Sequence, residues 1–488
     1  MRLIKGIALI IILSSNINAQ GFDDIARYSQ IGAPGTAYAS GMGGAVGAVG
    51  ADFSCVSVNP AGIGLFRKSE FAGSLAIFNY SNKASYYGTQ TRDRKFNFNI
   101  PNLNLVLHFP TVNRLKTNGW MSSTLAFGFN RSNSFHQMNT IRGINSESSI
   151  VNAFAAEAGS NLPDKLQFSS PYSADLAWQT YLIDTLRNPN GTLGYSSFAG
   201  PINGGATQRD AIESSGKFSQ SSISFAANHS NRLYLGATIG IRRIVYNETR
   251  TYSETNETDS IINFNNLNYT TNKTDKGTSL TFNLGAIYRV VDWLRLGAAA
   301  AIPLDFNINR SYNANLLSSL SFGEYSFSSP EASYSYKLRQ PARFTGSAAF
   351  IIKKNGIISI DYETVNNSRN LLISNEAVFD KINEQIPSKF SISNNLRIGV
   401  ESRFGDSYLR GGFQMIGSPL LNKTAINQMN NFSIGGGFRN DDYFFDIGYV
   451  LGFQKTQYYS YSPNLTDVQP AELSITRHNL VFTIGSRF

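Results

Sequence analysis

The C-terminal stretch His478-Asn479-Leu480-Val481-Phe482-Thr483-Ile484-Gly485-Ser486-Arg487-Phe488 alternates by residue. Leu480, Phe482, Ile484 and Phe488 fall on one face, with Val481, Thr483, Gly485 and Arg487 between them. A tilted strand of about ten residues crosses a bilayer. Only its alternate residues need be apolar when one face meets lipid and the other a wet lumen. In an aqueous protein that apolar face would need a core to cover it. This chain has many such strands and few helical stretches to receive them.

Working back from this strand, period-two alternation marks fourteen segments: 70–80, 97–109, 120–130, 218–228, 232–246, 278–289, 293–307, 342–352, 356–365, 395–404, 407–416, 431–438, 443–453 and 478–488. Short connections rich in Asn, Asp and Lys join alternate pairs: Asn228-His229-Ser230-Asn231, Val290-Val291-Asp292, Lys353-Lys354-Asn355, Gly405-Asp406 and Arg439-Asn440-Asp441-Asp442. Asn, Asp and Gly are what tight turns require. The other connections are long, at 131–217, 247–277, 308–341, 366–394, 417–430 and 454–477. Short periplasmic turns facing long external loops mark an outer-membrane barrel. The expected fold is all-β, a 14-stranded antiparallel transmembrane β-barrel of the bacterial outer membrane.

The start of the chain agrees. Arg2 and Lys5 precede an apolar run over 7–13, and a small polar stretch ends at Ala19, so residues 1–19 read as a signal peptide. No later stretch approaches the roughly 20 apolar residues of a membrane helix. Apolar residues make up 42% and charged residues 15%, with 24 Tyr, 34 Phe and 42 Gly, which suits aromatic girdles and a polar lumen. The net charge of +9 is spread without a basic run and leaves no footprint for nucleic acid. The single cysteine, Cys55, excludes an intrachain disulfide and reads as a small buried hydrophobe.

Residues 20–66 lack strand alternation. They carry Gly32, Gly35, Gly41, Gly43, Gly44, Gly47 and Gly50 before Asn59-Pro60-Ala61-Gly62. Glycine allows close backbone approach, and so few residues are too small to fold alone. The segment is expected to be a hatch inside a barrel formed by 67–488.

Here the chain resembles the FadL/TodX family of outer-membrane transporters of long-chain fatty acids and hydrophobic compounds. The resemblance rests on Gly21-Phe22, on Ala39-Ser40-Gly41-Met42-Gly43-Gly44-Ala45, and on Val58-Asn59-Pro60-Ala61-Gly62-Ile63-Gly64-Leu65-Phe66. Gln340-Pro341-Ala342-Arg343-Phe344-Thr345-Gly346, Leu396-Arg397-Ile398-Gly399-Val400 and Leu409-Arg410-Gly411-Gly412-Phe413 extend it. The resemblance implies passive transport: a hydrophobic ligand lands among the loops, binds in the lumen, and leaves sideways through the wall when the hatch moves. It implies Phe22 in the ligand pocket, and Asn59, Pro60, Ala61 and Gly62 as a hatch motif near a wall gap where the third strand kinks. Gly128 is the expected kink, since a strand glycine often marks a bulge. The 131–217 loop follows no pattern of that family.

That loop holds two helical patterns, 147–158 and 174–187. Trp178, Tyr181 and Leu182 of the second would line an apolar landing groove, or pack the two helices together as a lid. By alternation Arg343, Asp361, Glu363, Arg397, Glu401, Arg403, Arg410 and Asp446 face the lumen as a charge network. A lumen arginine left unpaired would suit a ligand carboxylate.

An enzyme is not expected. His108, His136, His229 and His478 are scattered without metal-ligand spacing, and there is no nucleophile elbow or phosphate loop. No cofactor or metal is expected. The partners are the outer-membrane bilayer and a hydrophobic small molecule, with the protein acting as a monomer. The alternatives are an outer-membrane scaffold of a protein secretion system, or a receptor for haem or aromatic compounds.

Overall fold

The computed structural model describes residues 16–30, 32, 35–111, 118–189, 191–199, 205–257, 261–353, 355–374, 377–421 and 427–488. The signal-peptide expectation therefore lies almost wholly outside the described residues, as does Lys354 of one turn.

Fourteen antiparallel strands close into a barrel. They are β1 (Glu70–Tyr86), β2 (Thr89–Pro110), β3 (Trp120–Ser134), β4 (Ala206–His229), β5 (Leu233–Thr255), β6 (Phe264–Val291) and β7 (Leu294–Pro303). Then come β8 (Arg343–Ile352), β9 (Gly356–Asn366), β10 (Ile392–Phe404), β11 (Ser407–Ile416), β12 (Met429–Arg439), β13 (Tyr443–Tyr458) and β14 (Ala471–Arg487). Each pairs with its sequence neighbour, and β14 returns to β1 from Glu70↔Arg487 to Ser85↔Glu472, so the sheet has no open side. Closure satisfies the backbone groups that hydrocarbon cannot.

Each of the fourteen segments expected from alternation lies within or overlaps one of these strands. Several strands run far beyond their expected external ends. β6 is 28 residues long where 278–289 was expected, and β7 continues after a break as strand Phe306–Leu320. At 28 residues, β6 is more than twice as long as a bilayer needs. The expected loops 247–277 and 308–341 are thus largely strand. They rise above the membrane because their outer-end faces pack on a loop cap: Tyr252, Leu267 and Tyr269 join Leu176 and Leu182 in one apolar cluster.

The wall alternates as its sequence does. In β14, Ile484 is 68% exposed while Thr483 and Val481 are buried. Trp120, Trp293, Phe404, Tyr443 and Phe488, all beside the short turns, are exposed as well. This is the ring expected at a membrane interface.

Inside, α1 (Asn16–Ser29) leads to α2 (Ala37–Gly41) and to two short 3-10 turns, Phe53–Ser57 and Pro60–Leu65. Between 35 and 66 nearly every residue is buried by the surrounding wall. Thr36 caps α2, Asp52 caps the first turn and Asn59 the second, so local hydrogen bonds set the path of a segment too short to hold itself. Cys55 is buried among hatch side chains.

The external loop holds α3 (Ile150–Ala158), α4 (Leu166–Ser169) and α5 (Ala174–Gln179). The helix expected over 174–187 stops early: Tyr181 has φ of 58°, and Ile183–Arg187 pairs with Leu193–Ser197 as a hairpin. A further helix, α6 (Ala377–Lys389), lies against α1.

Candidate functional site: the hatch, the lumen cavity and a split seam

The Asn-Pro-Ala motif anchors the hatch. Asn59 Nδ2 donates to Gly47 O at 2.8 Å and to Ala286 O of β6 at 3.1 Å, while its Oδ1 accepts from Ala61 N at 3.2 Å. One side chain therefore joins two hatch turns to the wall. The wall makes room for it: a Cβ on Gly285 would collide with Asn59 Oδ1, and one on Gly236 of β5 with the Pro60 carbonyl. Gly62 sits against Cys55 and Gly50 inside the hatch. The motif thus rests on β4, β5 and β6.

The opening in the wall is elsewhere. β2 pairs with β3 only from Asn102↔Asn130 to Pro110↔Ser122. Beyond Asn102, residues 89–99 of β2 keep their ladder to β1 but, among the described residues, have none on the other side, while β3 goes on pairing with β4. Phe96, Phe98 and Ile100 still face outward and are exposed, so part of this unpaired edge lies in the apolar band. Bare backbone edges do not persist against lipid unless they line protein or a cavity. Here side chains and the hatch take the ladder's place. Thr140 N donates to Asp93 Oδ2 at 2.6 Å across the split, and Lys95 pairs with Glu213 at 2.8 Å. Lower down, Gln30, Gly32 and Gly35, between α1 and α2, lie against it. Gly32 N donates to Ser132 O at 3.0 Å, Asn133 Nδ2 donates to Gln30 O at 3.3 Å, and Gly35 is pressed on the Pro101 carbonyl.

The expected kink at Gly128 is not there: Gly128 is in regular register with Asn104 on one side and Ser222 on the other. It is a seat for the hatch, since a Cβ there would lie 2.5 Å from Phe53 Cζ. The irregularities fall at Pro101, opposite the register shift between Ser74 and Ala76, and between Arg131 and Asn133. The residues beside the split are Gly32 and Gly35, whereas Asn59-Pro60-Ala61 face another part of the wall.

Behind the split lies a lumen cavity of about 140 Å³. Its walls include Pro101 and Asn99 of β2, Arg131–Ser134 of β3, Gln414 of β11, Met429 of β12 and Arg477 of β14, with Gln30, Gly32 and Gly35 as its hatch side. On the lipid side of the same bulge, Ile100, Leu103, Phe71, Leu75 and Ile484 line an apolar groove of about 470 Å³.

Phe22 does not line that cavity. It sits toward the external side, its ring 6.3 Å from Phe390 and beneath Lys389 Nζ at 4.6 Å. The second half of α1 packs in the upper lumen. Ile25 and Tyr28 are buried among Phe135, Phe218, Phe306 and Leu338. Asp24 accepts from Arg310 at 2.6 Å and from Tyr336 Oη at 3.1 Å, and Tyr28 Oη donates to Asp275 at 2.7 Å. Sequence reasoning missed this lock because Arg310 and Tyr336 fall in a stretch read as loop.

Six of the eight lumen charges expected from alternation fall into two groups. Glu363 receives Arg343 at 3.4 Å and Arg397 at 3.2 Å, and Arg343 also holds Ser29 O at 2.6 Å. Arg410 bridges Glu401 and Asp446, each at 2.6 Å, and Arg439, missed in the sequence, completes the group on Asp446 at 2.7 Å. Asp361 accepts from Gly47 N at 2.9 Å and holds the hatch instead. Arg403 departs from expectation: it is half-exposed at the periplasmic turn and donates to Gly405 O. Trp178, Tyr181 and Leu182 do not share one groove face either. Leu182 is buried in the cap, Trp178 packs on Tyr195, and Tyr181 points outward onto Tyr325.

No family model and no curated protein matches the sequence. Solved structures do match in fold. The toluene transporter TodX of P. putida is 12% identical over 94% of this chain and 99% of its own, with a TM-score of 0.52. A FadL homologue of Pseudomonas aeruginosa is 13% identical over 94% and 98%, also at 0.52. With its closed fourteen-stranded wall and its lumen segment, the chain has the fold of the FadL-family outer-membrane channels.

Proposed function

We propose that this barrel passively carries hydrophobic molecules, long-chain fatty acids foremost, across the outer membrane by lumen binding, hatch movement and lateral release. The observation that carries the reading is the β2–β3 split, where strand pairing is abandoned within the apolar band beside a cavity and the hatch linker. An apolar molecule gains nothing from a water-filled pore, because leaving lipid for water is the costly step. A seam opening from the lumen into hydrocarbon removes that step. The fold shared with a toluene transporter supports the same reading. A specific observation favours a second ligand class: a cavity of about 140 Å³ matches one aromatic ring, since an engineered void of about 150 Å³ holds benzene.

The test is uptake of labelled palmitate and of labelled toluene by cells with and without the protein, beside a variant lacking residues 20–24. Protein-dependent uptake that changes with the truncation supports the gated channel, and the label taken up identifies the ligand class. No dependence for either label, with the barrel assembled, overturns the reading in favour of a secretion scaffold.

A further inference from the structure

Most lumen arginines of this barrel are answered by carboxylates: Arg310 by Asp24 and Asp275, Arg343 and Arg397 by Glu363, Arg410 by Glu401 and Asp446, Arg439 by Asp446. The cavity behind the split departs from that rule. Arg131 and Arg477 both line it, and none of its lining residues is Asp or Glu. Among the described residues neither arginine makes an ion pair. Arg131 donates through Nη2 to Gly216 O at 3.1 Å and to Ser134 Oγ at 3.4 Å, leaving its buried Nε without a partner. Arg477 reaches only the Met429 sulfur, at 3.4 Å, and the edge of the Tyr80 ring field, at 5.9 Å. Gln414, 1% exposed in the same lining, accepts from Asn431 through Oε1 but leaves Nε2 unpartnered.

Two uncompensated guanidinium groups and two spare buried N–H donors around one cavity are costly unless something answers them. An anion does so, and a carboxylate matches guanidinium donors in geometry as well as charge. The rest of the lining mixes apolar Ala76, Phe78, Ile416, Val450 and Val481 with uncharged polar groups such as Asn99, Asn431 and Asn479. The volume accepts a head group and the first carbons of a chain but not a long tail. Pro101 of the cavity lining and the outward-facing Ile100 of the lipid-side groove are neighbours in β2, and a tail directed past them meets apolar surface.

We infer that Arg131, Arg477 and Gln414 form a seat for the carboxylate of a single-chain amphiphile, held with its tail directed through the β2–β3 split. The inference rests on the carrier reading above and adds to it a discrimination between charged and neutral ligands at the exit. A neutral aromatic hydrocarbon would leave both charges unanswered.

The test is photocrosslinking of the full-length mature protein in lipid nanodiscs with diazirine-bearing palmitate and with the matching hexadecanol. The wild type is expected to label with palmitate at least about tenfold more efficiently than with the alcohol, as a charge-assisted contact implies. R131Q/R477Q loses this preference, while R131K/R477K, which keeps both charges, retains most of it. Equal labelling by acid and alcohol in the wild type, or an undiminished preference in R131Q/R477Q, overturns the carboxylate seat and leaves hydrophobic transport standing. Labelling by neither probe overturns both. Heat-modifiable migration of each variant establishes that the barrel is assembled.

Discussion

Asn59 carries more than its share of the hatch's attachment. Its amide holds two carbonyls, one on the hatch and one on β6, and the hatch contact is fully buried. N59A leaves the buried Gly47 carbonyl without this donor, at a cost of about 1–3 kcal/mol, and cuts the hatch's tie to Ala286. The expected outcome is faster amide hydrogen exchange across residues 36–66, with exchange in the barrel strands unchanged. Gly285→Ala drives a Cβ into the same amide. It should give the same loosening, and the double variant should be no worse than either alone, because both break one contact. Asn59 was legible in the sequence as part of a motif; Gly285 was not. A glycine inside a strand signals close approach, yet only the folded barrel says what approaches.

At the scale of elements, α1 is held in the upper lumen by a buried ion pair between Asp24 and Arg310. Removing one partner of such a pair costs about 3–5 kcal/mol, whereas replacing both by apolar groups is often close to neutral. D24N should therefore release α1, read as protease cleavage after Arg27 in intact cells. Arg310 also pairs with buried Asp275, so the apolar replacement has to take all three, and D24L/R310M/D275L should restore much of the protection. If D24N stays as resistant as the wild type, the ion pair is not what holds α1. The strand pattern was readable wherever one face meets lipid, since alternation is then enforced. It was unreadable above the membrane, where residues 264–277 are polar on one face and pack a loop cap on the other. That is why the Asp275–Arg310–Tyr336 lock lay hidden in stretches taken for loops. The expected helix over 174–187 failed for a local reason, since Tyr181 turns the chain into the left-handed region and β-branched residues follow.

At the scale of the whole molecule, the wall closes on itself but loses its strand pairing along the upper β2–β3 seam. Strand count, closure and the buried hatch follow from alternation, turn chemistry and glycine content, so they were legible. The split was not, because it depends on how far two neighbouring strands stay in register, which neither strand encodes alone. The resemblance led to a gap at β3, and the structure places the loss of pairing on the same seam but at Pro101 and Arg131–Asn133. Gly35 closes that seam from within, its backbone pressed on the Pro101 carbonyl. Gly35→Ala adds a methyl where there is no room and should lift the linker from the wall. The expected result is several-fold faster uptake of a small apolar solute, with unchanged leakage of a polar one of similar size.

The most direct test of lateral release is to seal the seam. Cysteines introduced at Asn99 and Ser132, which face one cavity from β2 and β3, can be joined by a short bifunctional maleimide in assembled barrels. Palmitate uptake should fall to the level of cells lacking the protein when the crosslink forms, and should stay near wild type when each cysteine is modified singly. Undiminished uptake through a fully crosslinked seam would contradict release through the wall.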